Sequence, residues 1–325
     1  MMTPRENMLT TIWGGKPEYV PFATTEFSIC GIIPTKGVEQ PQTGGMDAFG
    51  CLWDVGQEGP MNRIGWSRFE DVADWKDHVK MPDMSQFDFK AMAEQEAKIV
   101  PPFNPQGQVR VFFSQGDQFM RLISYMGMEN GLCALYEDPD SCKELLAAYT
   151  EAKIQMVNAC IDAYHPDVYS LGEDVAAARN MFMSPEVYRD VIKPYHKAMC
   201  DAIRAKGVIP MIHTCGYCQD IIPDYVEMGV RLWHTAQTVN DISGILDKFA
   251  GKICPVGGWD SQGPSGYLGD NDTDEHLRKE TIRCMTEYKK PGFILSPLVV
   301  GPKGMVLADP RMGAIREEWD KLRWF

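Results

Sequence analysis

Short apolar runs alternate with longer segments of helical period along most of the chain. Buried strands are predicted for the apolar runs at 108–113, 166–171, 208–213, 231–235, 253–256 and 293–296. Helices are predicted between and after them, at 118–126, 139–164, 185–205, 220–228, 241–249 and 274–288. Strands that alternate with helices in this way indicate parallel βαβ units.

The first third of the chain is less regular. An opening helix at 4–13 and a first strand at 20–23 are predicted, and a final helix begins near residue 310. Residues 1–105 are then an amino-terminal extension, the first strand and loops that cover the mouth of the sheet. With seven or eight units, the predicted fold is α/β: one (β/α)8 TIM barrel domain spanning residues 1–325. The alternative is an open doubly wound sheet, which is disfavoured because no Gly-x-Gly-x-x-Gly turn opens a unit.

Composition narrows the function classes. The chain has 325 residues, and its 32 basic and 45 acidic residues give a net charge of −13. A basic surface for nucleic acid is therefore not indicated. No secretion-signal layout and no apolar run of the ~20 residues that a membrane helix needs are apparent, so a soluble, cytoplasmic protein is expected. The ten cysteines, in a chain of this size, are typical of reduced thiols.

The strand at 208–213 ends in side chains that can bind a metal. Residues two apart on a strand face the same side, so His213 and Cys215 can project together. Imidazole and thiolate both suit zinc, and Gly216 allows the chain to turn away afterwards. The same pair is also compatible with a hydrogen-bonded histidine and a small buried cysteine.

Polar residues also follow several other predicted strands. In a barrel the carboxyl ends of the strands form the site, so these side chains are expected to converge on one face. Four of these side chains also have a structural explanation, because Asp117, Asp174 and Asn240 could cap helices and Asp260 could stabilise a turn. The site candidates at these strand ends are Asp117, Glu173, Asp174, Asn240 and Asp260.

Several motifs together resemble the uroporphyrinogen decarboxylase superfamily over nearly the whole chain. They are Pro4-Arg-Glu-Asn, Ser184-Pro185-Glu186 with Pro194-Tyr195 downstream, His213-Thr-Cys215-Gly216 and Gly257-Gly258-x-Asp260. Porphyrin decarboxylases carry an arginine-rich segment near the amino terminus, whereas residues 24–60 contain no arginine. The His-x-Cys-Gly motif is instead similar to that of the corrinoid-dependent methyltransferases.

This resemblance implies a zinc enzyme that moves a methyl group between a small methylated substrate, such as a methoxylated aromatic compound, and a corrinoid. No Asp-x-His-x-x-Gly corrinoid loop is present, so a separate corrinoid protein is implied as partner. Asp117, Asn240 and Asp260 are the predicted catalytic residues. The predicted alternative is a metal-independent lyase of the decarboxylase type that acts on a non-porphyrin carboxylate.

The resemblance also bears on the metal ligands. His213 and Cys215 would bind the zinc, and thiol-activating relatives add a cysteine after the last barrel strand. The corresponding segment here, around Val299, has no cysteine. Glu173 or Asp174 is therefore predicted as the third ligand, ahead of two cysteines that also stay open, Cys218 and Cys254.

Overall fold

The computed structural model of the chain describes residues 1–56, 59–302 and 304–325. Its central feature is a parallel sheet of seven strands in the order β1-β5-β6-β7-β8-β9-β10, flanked by two small antiparallel sheets, β2-β3-β4 and β11-β12. The strands are β1 (Phe27–Cys30), β2 (Gly45–Met46), β3 (Leu52–Gly56), β4 (Gly59–Asn62), β5 (Val109–Phe113), β6 (Val168–Gly172), β7 (Ile209–His213), β8 (Leu232–Ala236), β9 (Cys254–Gly258), β10 (Ile294–Ser296), β11 (Val300–Gly301) and β12 (Gly304–Met305).

Helices separate the strands of the central sheet from β5 onwards. The helices are α1 (Pro4–Ile12), α2 (Ala23–Glu26), α3 (Ile32–Pro34), α4 (Trp75–His78), α5 (Phe89–Glu96), α6 (Gln118–Met126), α7 (Met128–Glu137), α8 (Pro139–Tyr164), α9 (Pro185–Val187), α10 (Lys193–Ala205), α11 (Ile222–Met228), α12 (Ile242–Lys248), α13 (Glu275–Glu287) and α14 (Gly313–Leu322). Within the described ranges, no helix combines the length and the apolar character that crossing a membrane requires.

The predicted α/β class and parallel sheet are confirmed. The sheet curls like a TIM-type barrel, and one parallel bridge joins Phe22, in the segment before α2, to Leu295 on the edge strand β10. There the backbone N–H of Leu295 donates to the carbonyl of Pro21 at 3.0 Å. Over the described ranges the sheet contains seven strands, so the predicted eighth strand is reduced to this bridge.

Two parts of the amino-terminal half differ from the sequence-based prediction. Residues 20–23 do not form a strand, because α2 begins at Ala23, and the edge strand is β1 instead. β1 has an irregular burial pattern, so it lacks the alternation that marks a strand in the sequence. Helix α7 was not predicted, because Gly127 adopts φ +78° and interrupts the helical period.

Side chains on the central strands alternate between two cores. The outward-facing residues pack against the helices, as Phe112, Tyr169 and Trp233 do. The inward-facing residues include Val111, Met211, Leu232 and Val256. This period of two is what strand geometry requires when both faces of a sheet are buried.

Helix α1 covers the end of the barrel at which the strands begin. Its residues Met8 and Ile12 belong to the inner core. The thiol of Cys254 lies at this end, 3.4 Å from the carbonyl oxygen of Thr11. Cys254 therefore lies far from the carboxyl ends of the strands, as its position at the start of β9 predicted.

A buried ion pair attaches the insertion that carries β2, β3 and β4 to helix α6. The guanidinium of Arg121 contacts the carboxylate of Asp47 at 2.5 Å, and both side chains are fully buried. Arg121 also lies over the ring of Phe49, and Trp53 donates its indole N–H to Asp47. The insertion is thus fixed to the helix layer by charge as well as by apolar packing.

Replacing Asp47 with Ala should destabilise the protein by about 3–5 kcal/mol, because it leaves the Arg121 guanidinium buried without a counter-charge. The matched control is Asp54→Ala in the same small sheet, where the ion pair with Arg63 is exposed. That change should leave the free energy of unfolding almost unchanged, because an exposed ion pair contributes little to stability. Urea denaturation measures both free energies of unfolding, and equal losses would contradict the anchoring role of Asp47.

Candidate metal centre and adjoining cavity

Three potential metal ligands meet at the carboxyl ends of β6 and β7. The strands are neighbours in a register that pairs Gly172 with His213. Asp174 therefore lies beside His213 and Cys215, and one ligand atom from each lies within 4.8 Å of the other two. The Cys215 sulfur is 3.5 Å from His213 Nε2, and Asp174 Oδ1 is 4.0 Å from the same nitrogen.

The donors in this three-residue cluster fit a zinc ion. Zinc bonds to nitrogen, oxygen and sulfur are about 2.0–2.3 Å long, so tetrahedral ligands lie roughly 3.3–3.8 Å apart. The observed spacings need only small side-chain shifts to reach that geometry. Three protein ligands also leave a fourth position open, as in catalytic zinc sites.

The surroundings of the cluster determine the protonation states of its side chains. Burial, and then the charge of Asp174, raise the pKa of the Cys215 thiol to about 12. Burial lowers the pKa of His213, and the charge of Asp174 partly offsets this effect. The imidazole can therefore offer a neutral nitrogen, whereas the thiol must lose its proton as a metal binds.

The turn that follows Cys215 is held by the next loop. Gly216 has φ +79°, and a side chain there would collide with the carbonyl oxygen of Ala177. Asn240 accepts the N–H of Cys218 at 3.0 Å and donates to the carbonyl of Gly216 at 2.9 Å. The buried Asn240 side chain therefore stabilises this turn, and its catalytic role stays a prediction. Cys218 lies on the outer, apolar side, away from the cluster.

The Glu173 carboxylate points away from the cluster, although the next residue, Asp174, belongs to it. It is fully buried and accepts the backbone N–H groups of Phe119 and Met120 at 2.8 and 2.9 Å. A third contact, at 2.8 Å, joins it to Nε2 of His196. Glu173 therefore caps helix α6, and of the two predicted carboxylates only Asp174 is positioned as a ligand.

Two further predicted catalytic residues have structural contacts. The fully buried carboxylate of Asp117 accepts the backbone N–H of Gly172 at 2.6 Å. Burial, and then the charge of Glu173, raise its pKa well above the ordinary value. Asp260 stabilises a turn by accepting the N–H groups of Gln262 and Gly263. Asp117 and Asp260 therefore make structural contacts, and their catalytic roles stay predictions.

A cavity of about 300 Å³ inside the mouth of the barrel adjoins the cluster. His213 belongs to both, so its imidazole lies between the candidate ligands and the cavity. The lining residues among those described carry no charged aspartate, glutamate, lysine or arginine side chain. They are Ala23, Thr24, Phe27, Ile29, Phe113, Met211, His213, His234, Thr235, Ser296, Pro297, Leu298, Met305 and Leu307.

His234 is a site residue that the sequence reasoning missed. Its Nδ1 is 2.7 Å from Nδ1 of His213, and the ring of Phe113 meets both imidazoles edge-on. Burial, and then His213, lower the pKa of His234 well below its usual range. The signal was a histidine near the end of each of two successive predicted strands, but only the strand register shows that the two rings touch.

Fold and cluster together define an α/β-barrel protein with a candidate catalytic metal centre at the carboxyl ends of its strands. The family model for uroporphyrinogen decarboxylase (URO-D) matches residues 118–298, which is more than half of the chain. The chain therefore belongs to the uroporphyrinogen decarboxylase family, as its motifs predicted. The match spans the whole cluster and ends at Leu298, which lines the cavity.

The chain was also compared with solved structures and with curated protein sequences. A methyltransferase from Methanosarcina mazei superposes with a TM-score of 0.72 over 99% of each chain, at 16% sequence identity. At that identity the likeness establishes the shared fold alone. None of the curated proteins matches this sequence significantly.

Substituting each carboxylate by its amide should distinguish the role of Asp174 from that of Glu173. Asp174→Asn removes a candidate ligand and should weaken zinc binding by at least about tenfold, since even outer contacts of metal ligands contribute that much. Glu173→Gln should lower the stability instead, because the amide cannot accept from both N–H groups of α6, and should retain zinc. Chelator competition and urea denaturation measure the two effects. Loss of zinc from Glu173→Gln alone would identify Glu173 as the ligand.

Proposed function

We propose that this protein is a zinc-dependent methyltransferase that moves a methyl group from a small methoxylated substrate to a corrinoid carried by a partner protein. The observation that carries the proposal is the convergence of Asp174, His213 and Cys215 on one point at the wall of an apolar cavity. Family membership and the fold shared with a methyltransferase support it. We further propose that residues 1–325 form one barrel domain.

Asp174, His213 and Cys215 would hold the ion through one oxygen, one nitrogen and one sulfur atom. A bound zinc would act as a Lewis acid that stabilises negative charge on the ether oxygen as its methyl group departs. The backbone N–H of Cys215 donates to Asp174 Oδ1 at 2.7 Å and holds the carboxylate in place. His213 also forms part of the cavity wall, so the residues that would hold the ion lie beside the space for a substrate.

The single sulfur in the cluster favours an ether over a thiol as the reacting group. A carboxylate donates less electron density than a thiolate, so the ion remains a stronger Lewis acid. The segment after β10, where thiol-activating relatives place a cysteine, has the buried Val299 instead. This set of donors is better suited to polarising an oxygen than to activating a thiolate.

The cavity supports a neutral, partly aromatic substrate. Its volume lies at the lower end of the range for small-molecule sites, and Phe27, Phe113 and Met211 supply apolar walls. A carboxylate substrate would require a cationic partner, and the described lining provides none. The decarboxylase-type alternative therefore finds no support in the cavity.

The rim of the cavity is suited to a protein partner. Ile29, Met305 and Leu307 line the cavity and are 43%, 60% and 58% exposed. Exposed apolar residues that surround a site are typical of interaction surfaces. A corrinoid protein that docks here would bring its cofactor to the mouth of the cavity.

The purified protein should contain about one zinc ion per chain. Cys215→Ala should abolish zinc binding because it removes the only sulfur of the cluster. The matched control is Cys218→Ala, three residues along, whose thiol is fully buried outside the cluster. Elemental analysis, and cobalt(II) substitution with its sulfur-to-metal absorption band, measure the outcome. Equal zinc loss from both variants would contradict the proposed ligand set.

Activity should distinguish ether demethylation from thiol methylation. With a reduced, cob(I)alamin-state acceptor, the zinc-loaded protein should demethylate a methoxylated aromatic compound, because its centre polarises oxygen. It should show little methyl transfer from methylcobalamin to coenzyme M. Product chromatography measures both reactions, with Cys215→Ala as the inactive control. Efficient thiol methylation without ether demethylation would reject the proposal, as would X-ray absorption showing two or three sulfur ligands.

A further inference from the structure

The contact between the two imidazoles at the cavity wall permits only one hydrogen between them. Nδ1 of His213 and Nδ1 of His234 are 2.7 Å apart, which is a hydrogen-bond distance. One nitrogen must donate and the other accept, because two N–H groups or two lone pairs would repel each other. A neutral imidazole carries its hydrogen on one nitrogen only, so two arrangements of the pair are available.

The candidate ligands determine which arrangement is compatible with a metal. His213 Nε2 faces the cluster, at 3.5 Å from the Cys215 sulfur and 4.0 Å from Asp174 Oδ1. To bind a metal this nitrogen must present its lone pair, so His213 must carry its hydrogen on Nδ1. His234 Nδ1 then accepts that hydrogen, and the hydrogen of His234 is left on Nε2.

The Nε2 atom of His234 is the part of this pair that remains for a ligand. In the part of the chain that the structure describes, no hydrogen bond engages this atom, and His234 lines the cavity and is only half-buried. The two imidazoles are the only titratable side chains among the described lining residues. The ring of Phe113 meets the His234 ring at 89°, which restricts its rotation.

We infer that His234 has two roles: it fixes the metal-binding tautomer of His213, and it presents an Nε2–H donor to an oxygen atom of the ligand in the cavity. This inference rests on the proposed function and specifies its substrate class. The ligand is an uncharged, largely apolar molecule with a hydrogen-bond acceptor near the metal centre, such as an aryl ether. The donor would also stabilise that oxygen as negative charge develops on it.

The tautomers can be observed directly without any turnover. Protein with ¹⁵N-labelled histidine is compared with and without zinc by two-bond ¹⁵N–¹H correlation spectra. In the zinc form, His213 should be protonated at Nδ1 and His234 at Nε2. Protonation of His234 at Nδ1 in the zinc-loaded protein would overturn the inference.

Two substitutions at position 234 separate the two roles. The side-chain oxygen of His234→Asn can replace Nδ1 as acceptor but cannot replace Nε2–H, whereas His234→Phe loses both functions. Zinc affinity, from chelator competition, should fall about 10- to 100-fold in the Phe variant and stay near the wild-type value in the Asn variant. Equal zinc affinity in all three proteins would overturn the positioning role. Should the Phe variant fail to fold, the Asn variant and the spectra still decide the question.

The donor to the ligand is tested with anisole and ethylbenzene, which differ by one oxygen atom in place of a methylene group. By calorimetry, the zinc-loaded wild type should prefer anisole by about three- to tenfold, as one neutral hydrogen bond allows. Both variants should show a smaller preference than the wild type, because they lack the Nε2–H donor while any attraction of the oxygen to zinc remains. The matched control, His276→Phe, changes an exposed histidine on α13 and should retain it. An unchanged preference in His234→Asn would overturn the donor role.

These readouts do not depend on methyl transfer, so the two proposals can fail separately. Zinc-loaded protein with the expected tautomers and ether preference, but without demethylation, would reject the proposed function and retain the inference. An active demethylase with His234 protonated at Nδ1 would do the reverse.

Discussion

The site depends on one structural constraint, the parallel register of three neighbouring strands. Gly172 on β6 pairs with His213 on β7, and His213 pairs with His234 on β8. Paired residues of parallel strands point to the same side of the sheet, so the two imidazoles must lie next to each other. A shift of one residue would turn both into the outer apolar layer and remove the cluster.

Buried carboxylates on both sides of the site hold the strand ends in place. Asp117, which follows β5, binds the backbone at the end of β6, while Glu173, which follows β6, binds the start of helix α6. The two loops therefore satisfy each other's backbone N–H groups. Because these loops would otherwise leave buried donors without partners, the exchange both stabilises them and fixes the direction of Asp174. The polar residues at these strand ends thus have a structural role in holding the loops beside the candidate metal centre.

Sequence patterns were sufficient to predict the repeating part of the fold and the placement of His213 and Cys215 together at one strand end. β5 to β10 and their helices follow strong apolar periods, and His213 and Cys215 needed only the alternation of a strand. Distinguishing Glu173 from Asp174 was beyond the sequence, because the choice depends on the hydrogen bonds that Glu173 makes with helix α6. The same limit applies to Asn240, whose partners in the turn at Gly216 and Cys218 lie more than twenty residues away. The type of each side chain indicated which residues could bind a metal or take part in catalysis. Only the tertiary contacts showed which of these side chains are already engaged in structural hydrogen bonds.

Charge balance explains why such a centre can adjoin an apolar cavity. In the proposed centre, the two positive charges of zinc would be matched by one thiolate and one carboxylate, while His213 and His234 stay neutral. A charged centre beside a cavity without charged residues would be costly, since no nearby group could compensate it. A neutral centre avoids that cost and leaves the open position to a neutral oxygen. Under the proposed function, the uncharged lining and the mixed oxygen, nitrogen and sulfur donors would therefore meet the same electrostatic requirement, which would favour an ether over an anionic substrate.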